Sequence, residues 1–131
     1  MIVVDTSVWI DVLNEHDTSR AQRCIGLLED GAPLAVTDVI VTEILQGLRS
    51  DREASRVEGY LRHFPILRLE AVDDFVFAAA LYRRARARGV TIRSTVDCLI
   101  ASVCIRENAP ILHGDDDFER LASTSNLQIF V

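Results

Sequence analysis

Four acids stand where acids are costly: Asp5, Glu43, Asp97 and Asp115 each interrupt, or directly follow, a segment that otherwise reads as buried. Asp5 closes the apolar run Ile2-Val3-Val4, and Asp115 comes just after Ile111-Leu112. Glu43 and Asp97 lie inside helix-like stretches, 39–48 and 96–105, where the neighbours one turn away are mostly Val, Ile, Leu, Ala and Gly. A buried, unpaired carboxylate shifts its pKa and neutralises, so several acids converging on one place call for a compensating positive charge. A divalent cation supplies it, and carboxylate oxygens suit magnesium or manganese. Such an ion activates water and steadies a leaving oxygen, which is the chemistry of phosphodiester hydrolysis, while acids that do not touch it orient its waters. Each acid also has a purely structural use. Asp5 and Asp115 can cap helices or shape turns, and Asp97 suits the first turn of a helix.

The elements that must bring these acids together can be read from periodicity and punctuation. Met1–Val4 is a short apolar strand, with Thr6 or Ser7 placed to cap a helix over 8–14. Ser19 opens a second helix through Asp30, Gly31 stops it, and Leu34-Ala35-Val36 follows Pro33 as a strand. Thr37 or Asp38 caps the helix carrying Glu43. Asp51–Arg62 is amphipathic, Pro65 ends it, and 66–69 reads as a third strand. Residues 72–88 are helical up to Gly89, and Ser94 or Thr95 caps the helix of Asp97, which breaks at Asn108-Ala109-Pro110. Strands at 111–113 and 127–131 complete the count, with Asp115-Asp116-Asp117-Phe118 read as a turn. Wholly apolar strands alternating with helices predict a three-layer α/β/α sandwich on a mostly parallel sheet of about five strands. Ligands of such sheets bind beyond the carboxyl ends of the strands, where Asp5 and Asp115 fall.

Composition narrows the classes. At 131 residues the chain is expected to form a single domain, 1–131, and 49% hydrophobic residues with only 6 Gly and 3 Pro exclude a disordered or low-complexity chain. No apolar run approaches the ~20 residues of a membrane helix and no signal segment leads the chain, so the cytoplasm is the expected location. Cys24, Cys98 and Cys104 lack paired spacing and read as buried reduced thiols. Every Lys or Arg position is Arg, so mechanisms that need a lysine amine are unavailable; this removes haloacid-type phosphohydrolases and phospho-receiver domains.

Val3-Val4-Asp5-Thr6-Ser7-Val8, the helix 42–47, the segment from Ile92 through Val96-Asp97 to Ala101, and Asp115-Asp116-Asp117-Phe118 together resemble a PIN domain, and more closely the VapC toxins of bacterial toxin–antitoxin pairs. The resemblance spans essentially the whole chain, in order. It implies a Mg2+- or Mn2+-dependent endoribonuclease with Asp5, Glu43, Asp97 and Asp115 as its acidic quartet and Asp5, Asp97 and Asp115 as metal ligands. Asp117 matches a further acid often present in the last motif. It also implies a homodimer, a cognate VapB-type antitoxin, and structured RNA such as transfer RNA as substrate. A degenerate PIN domain that binds without cutting, and a flap-type DNA nuclease, are the alternatives. His113 departs from the pattern, standing where a small hydroxyl residue is frequent, and is a candidate to contact a metal-bound water or the scissile phosphate. Thr6 and Ser7 are candidates to hold a metal-bound water.

The net charge of −6 disfavours RNA as a global sum, but its distribution matters more. Arg83, Arg84, Arg86 and Arg88 crowd one helix and Arg93 follows, spaced for phosphate contact. Arg93, Arg84 and Arg88 are the RNA-binding candidates. With few aromatics, recognition is expected to rest on backbone and shape. Trp9, Val8, Val12, Leu13, Leu45, Leu48, Val57 and Leu61 offer more helix surface than one sheet face needs, and the excess is the expected seat of an antitoxin helix or a second copy.

Overall fold

The computed structural model describes all residues, Met1–Val131. Its frame is a parallel sheet of β1 (Ile2–Val4), β2 (Leu34–Thr37), β3 (Ile66–Leu67) and β4 (Ile111–Leu112) in the order β3-β2-β1-β4. In register, Val3 lies beside both Ala35 and Ile111, and Val36 beside Ile66. β1 and β2 are buried along their length save Ile2, as apolar strands covered on both faces must be. Seven helices flank the sheet: α1 (Thr6–Leu13), α2 (Ser19–Glu29), α3 (Asp38–Gln46), α4 (Asp51–Leu61), α5 (Val72–Ala87), α6 (Thr95–Arg106) and α7 (Asp116–Ser123). α1 packs on α2 and α3, while α5 pairs with α6, and α7 leans on both. The fold is the expected α/β sandwich.

Three details differ from the expectation. The fifth strand, 127–131, reduces to one parallel bridge, Ile111 to Ile129, because only Gln128 and Phe130 exchange backbone hydrogen bonds with Ile111. Asp116–Ser123 is a helix and not only a turn; Phe118 and Leu121, three apart, are buried together as its inner face. The caps of the first two helices sit one position earlier than expected. Asp5, not Thr6 or Ser7, caps α1 by accepting from the Ser7 N–H, and Thr18, not Ser19, caps α2 through the Ala21 N–H. Thr37 and Ser50 cap α3 and α4 in the same way, each worth about 1 kcal/mol.

The core runs through the sheet from Trp9, Val57 and Leu61 on one side to Ile100, Ala101, Phe118 and Leu121 on the other. Trp9 sits in an aromatic cluster with ring centroids 6.1 Å from Tyr60 and 5.4 Å from Phe64. Val8, Val57 and Leu61 are fully part of this core; Val12, Leu13, Leu45 and Leu48 are only partly buried against it. All three cysteines are free and buried, with thiol pKa values pushed up by desolvation. Glycine matters at two helix stops: Gly31 (φ 69°) and Gly89 (φ 76°) take the left-handed conformation just past α2 and α5.

Candidate active site

Both strand-end acids, Asp5 and Asp115, are helix caps. Asp5 follows β1 and its backbone N–H donates to the Leu112 carbonyl at 2.9 Å, which ties it to the end of β4. Its carboxylate accepts from Ser7 N (3.1 Å) and Ser7 Oγ (2.6 Å), and Ser7 Oγ in turn accepts from Gly114 N at 2.9 Å. Asp115 caps α7 by accepting from Asp117 N at 2.9 Å. Capping occupies one oxygen of each acid and fixes where the other lies.

Glu43, on α3, is half-buried and accepts from Thr6 Oγ1 at 2.7 Å. Asp97, in the first turn of α6, is 6% exposed, and its Oδ2 is buried with no hydrogen-bond partner. Oxygens of Asp97, Asp115 and Asp117 lie within 4.8 Å of one another, close enough to share one cation. The structure therefore brings the acidic quartet into one neighbourhood, but the tight cluster contains Asp117 and not Asp5. Asp5 stands at its rim, close enough for its charge to act on Asp97, Asp115 and Glu43.

Electrostatics sort the acids. Burial, with hydrogen bonding to Asp117 and repulsion from Asp115, Asp5 and Asp117, pushes the Asp97 carboxyl up to about 8. Desolvation likewise raises Asp5, against the opposing Ser7 hydrogen bonds, and raises Glu43, against the Thr6 hydroxyl and helped by repulsion from Asp5 and Asp115. Asp117 goes the other way. Burial opposes its ionisation, yet the Arg93 N–H, the Asp97 side chain, the Ser94 N–H and Arg120 together hold its pKa below the ordinary value. Both Asp117 oxygens are occupied: Arg93 N donates to each (3.2 and 3.1 Å), Ser94 N to one (3.0 Å), and Arg120 Nη1 approaches at 3.2 Å. Asp97 is the acid with coordination to spare, and its bare oxygen fits a divalent cation.

His113 does not take the expected part at the reacting centre. Its Nδ1 accepts from Asp115 N at 3.1 Å, which places the ring proton on Nε2, 3.1 Å from Glu119 Oε1. With both nitrogens engaged and the side chain only 8% exposed, it orients the turn before Asp115. Thr6 and Ser7 likewise spend their hydroxyls on Glu43 and Asp5. Among the arginines, Arg93 reaches the acids, with Nε 3.7 Å from Asp117 and Nη2 4.0 Å from Asp115. Arg84 lies over the Phe77 ring and Arg88 closes α5; neither forms an ion pair with a site acid.

Sequence reasoning missed two groups. Arg120, on the helix read as a turn, contacts Asp117. Asp11, 6% exposed, accepts from Arg20 Nε (2.6 Å) and Thr18 Oγ1 (2.9 Å), and the Arg20 guanidinium fills the space a Cβ at Gly114 would take. That pair braces the Ser7–Gly114–Asp115 turn from outside. No helical spacing links residues 11 and 20, so only the fold reveals them.

A family model for the PIN domain matches residues 2–123. The chain is also 39% identical over 129 residues to VapC ribonuclease Mb1587 of Mycobacterium bovis and to ribonuclease VapC11 of Mycobacterium tuberculosis, covering 98% of this chain and 96% of each relative. The chain belongs to the PIN-domain family, among the VapC ribonucleases. Solved structures agree on the fold. VapBC2 of Rickettsia felis, bound to a DNA fragment from its promoter, superposes with a TM-score of 0.76 at 21% identity over 99% of this chain and 98% of that one. VapC20 of Mycobacterium tuberculosis, a sarcin–ricin loop cleaving toxin, gives 0.69 at 20% identity over 97% and 98%. No helix of this VapC-family chain is long and apolar enough to cross a membrane.

Proposed function

We propose that this chain is a Mg2+- or Mn2+-dependent endoribonuclease toxin that hydrolyses phosphodiester bonds of structured RNA such as transfer RNA in the cytoplasm. The observation that carries the reading is the buried, unpartnered Oδ2 of Asp97 within the Asp97–Asp115–Asp117 cluster, which pairs coordination capacity with crowded negative charge. A divalent ion held by Asp97 and Asp115 would relieve that repulsion, activate water and steady the leaving oxygen. Asp5 and Glu43 line the rim, fixed by Ser7 and Thr6, and orient water there. Asp117 keeps Arg93 and the start of α6 in place.

Neutralisation falls to a small VapB-type antitoxin. A groove of about 310 Å³ between α3 and α4, with Val41, Leu45, Leu61 and Ile66 as its floor and Glu58 and Arg62 among its lining, has the shape for an apolar helix face. The chain pairs with a second copy through α5, where Val72, Phe75 and Val76 are exposed.

The test is incubation of purified protein with total RNA and magnesium, with chelator, and as Asp5→Asn, followed by mapping of the RNA ends. Discrete ends that need both magnesium and Asp5 are expected. Cutting that survives the chelator overturns the mechanism, and RNA binding without any cutting leaves a binding module.

A further inference from the structure

Beside the acid cluster opens a polar cleft of about 500 Å³ lined by Gly89, Val90, Thr91, Arg93, Arg120 and Ser123, of which one residue is hydrophobic. It shares a wall with the acids. Arg120 Nη1 is 3.2 Å, and Arg93 Nε 3.7 Å, from the same oxygen of Asp117. Asp117 is itself 2% exposed and fixed by the Arg93 and Ser94 amides, so both guanidinium groups hang from a buried anchor instead of swinging free.

Arg120 meets Asp117 alone, while Arg93 meets Asp117 and, at 4.0 Å, Asp115, so the two guanidinium groups are held at the cleft by acids on one side only. Each guanidinium carries five N–H donors, and the Asp117 contacts use few of them. Arg93 is 66% exposed and Arg120 38%, so the remaining donors can meet a ligand. Arg83 and Arg86, by contrast, line a cavity walled by Phe75, Ala78, Tyr82 and Leu99, an apolar setting unsuited to phosphate.

Resting on the reading of the chain as an RNA hydrolase, we infer that this cleft is a phosphodiester subsite: Arg120 and Arg93 hold the RNA backbone phosphate next to the one being cut. Planar guanidinium groups pair two donors with two phosphate oxygens, and anchoring on Asp117 fixes that phosphate relative to Asp97 and Asp115. The subsite reads backbone and not base, so it contributes affinity and register without sequence preference.

The experiment measures binding of a fluorescein-labelled RNA stem–loop by anisotropy across a sodium chloride series, with calcium replacing magnesium, for wild type, Arg120→Gln, Arg93→Gln and Arg120→Lys. Arg52→Gln, on the exposed face of α4 and away from the acids, serves as control. Arg120→Gln and Arg93→Gln should each weaken binding about fivefold to tenfold and lower the slope of log affinity on log salt by about 0.7–0.9. Arg120→Lys should keep the wild-type slope with weaker binding, an outcome that misfolding of the Gln variant does not imitate. Wild-type affinity and slope in both Gln variants, or no RNA binding by wild type, overturn the subsite. If wild type binds with the expected arginine dependence yet never cuts in magnesium, the hydrolase reading falls and the cleft stands.

Discussion

Asp11 and Asp97 are buried to the same degree, 6% exposed each, and are opposites in every other respect. Asp11 is surrounded by donors from Arg20, Thr18 and His16, which outweigh its desolvation and hold its pKa below the ordinary value. Asp97 faces other acids, keeps one oxygen without any partner, and has its pKa pushed up to about 8 by burial first and by Asp117, Asp115 and Asp5 thereafter. Burial alone does not mark a functional acid. What distinguishes the two regions is unmet coordination: one acid has been satisfied by the protein, the other keeps a buried oxygen with no partner.

The comparison breaks most visibly with paired Asn substitutions. Asp97→Asn should lower RNA cleavage about 100-fold or more and erase the rise in Tm that magnesium gives wild type, while metal-free protein becomes more stable at pH 8, since an amide has no charge to bury. Loss of stability in metal-free Asp97→Asn at that pH, read by thermal melts, would place Asp97 in the same class as Asp11. Asp11→Asn should do the reverse. It loses charge-assisted hydrogen bonds and costs about 1–3 kcal/mol by urea unfolding, equally with and without magnesium, and leaves the metal-induced shift in Tm intact.

A pH series sharpens the contrast because the signs differ. Asp97, raised from 3.8 to about 8, makes the folded state hold a proton that the unfolded chain releases, so its stabilising contribution is complete below about pH 4 and is lost as pH rises towards 8. Asp11 is lowered, so its contribution is present above 3.8 and lost on acidification. Metal-free Tm should therefore fall by several degrees between pH 5 and pH 8, a window of about three units within the Asp97 shift, and magnesium should restore progressively more of it with rising pH. A flat metal-free profile that Asp97→Asn leaves unaltered would contradict this. The smallest effect belongs to Ser7→Ala, which removes the bridge between Asp5 and Gly114 and should cost about 1 kcal/mol, with a modest loss of cleavage and unchanged oligomeric state by light scattering.

Much of the architecture was legible because apolar runs and punctuation coincide: 2–4, 34–37 and 111–112 are strands where Val, Ile, Leu and Ala cluster, and Gly31 and Gly89 stop helices where they stand. The acids were legible because a carboxylate amid apolar neighbours is conspicuous. Asp116–Ser123 was obscured by its opening acids, which resemble a turn, although the pairing of Phe118 with Leu121 carried the helical signal. Losing that helix also lost Arg120. His113 went astray because a ring at a strand end gives no hint that both its nitrogens will be taken by Asp115 and Glu119. The presence of Asp117 in the tight cluster and of Asp5 at its rim depends on tertiary placement to within a few ångströms, which spacing along a chain does not encode.

The bridge from Ile129 to Ile111 is slight, yet it lies along the outer margin of β4, the strand that leads to Asp115. The opposite margin, β3, is only two residues long. A parallel sheet with an open edge invites strand addition from another molecule, and short or covered edges deny it a template. Residues 127–131 thus act as a guard against self-association of the sheet, and their deletion is expected to produce aggregation before any loss of the acid cluster itself.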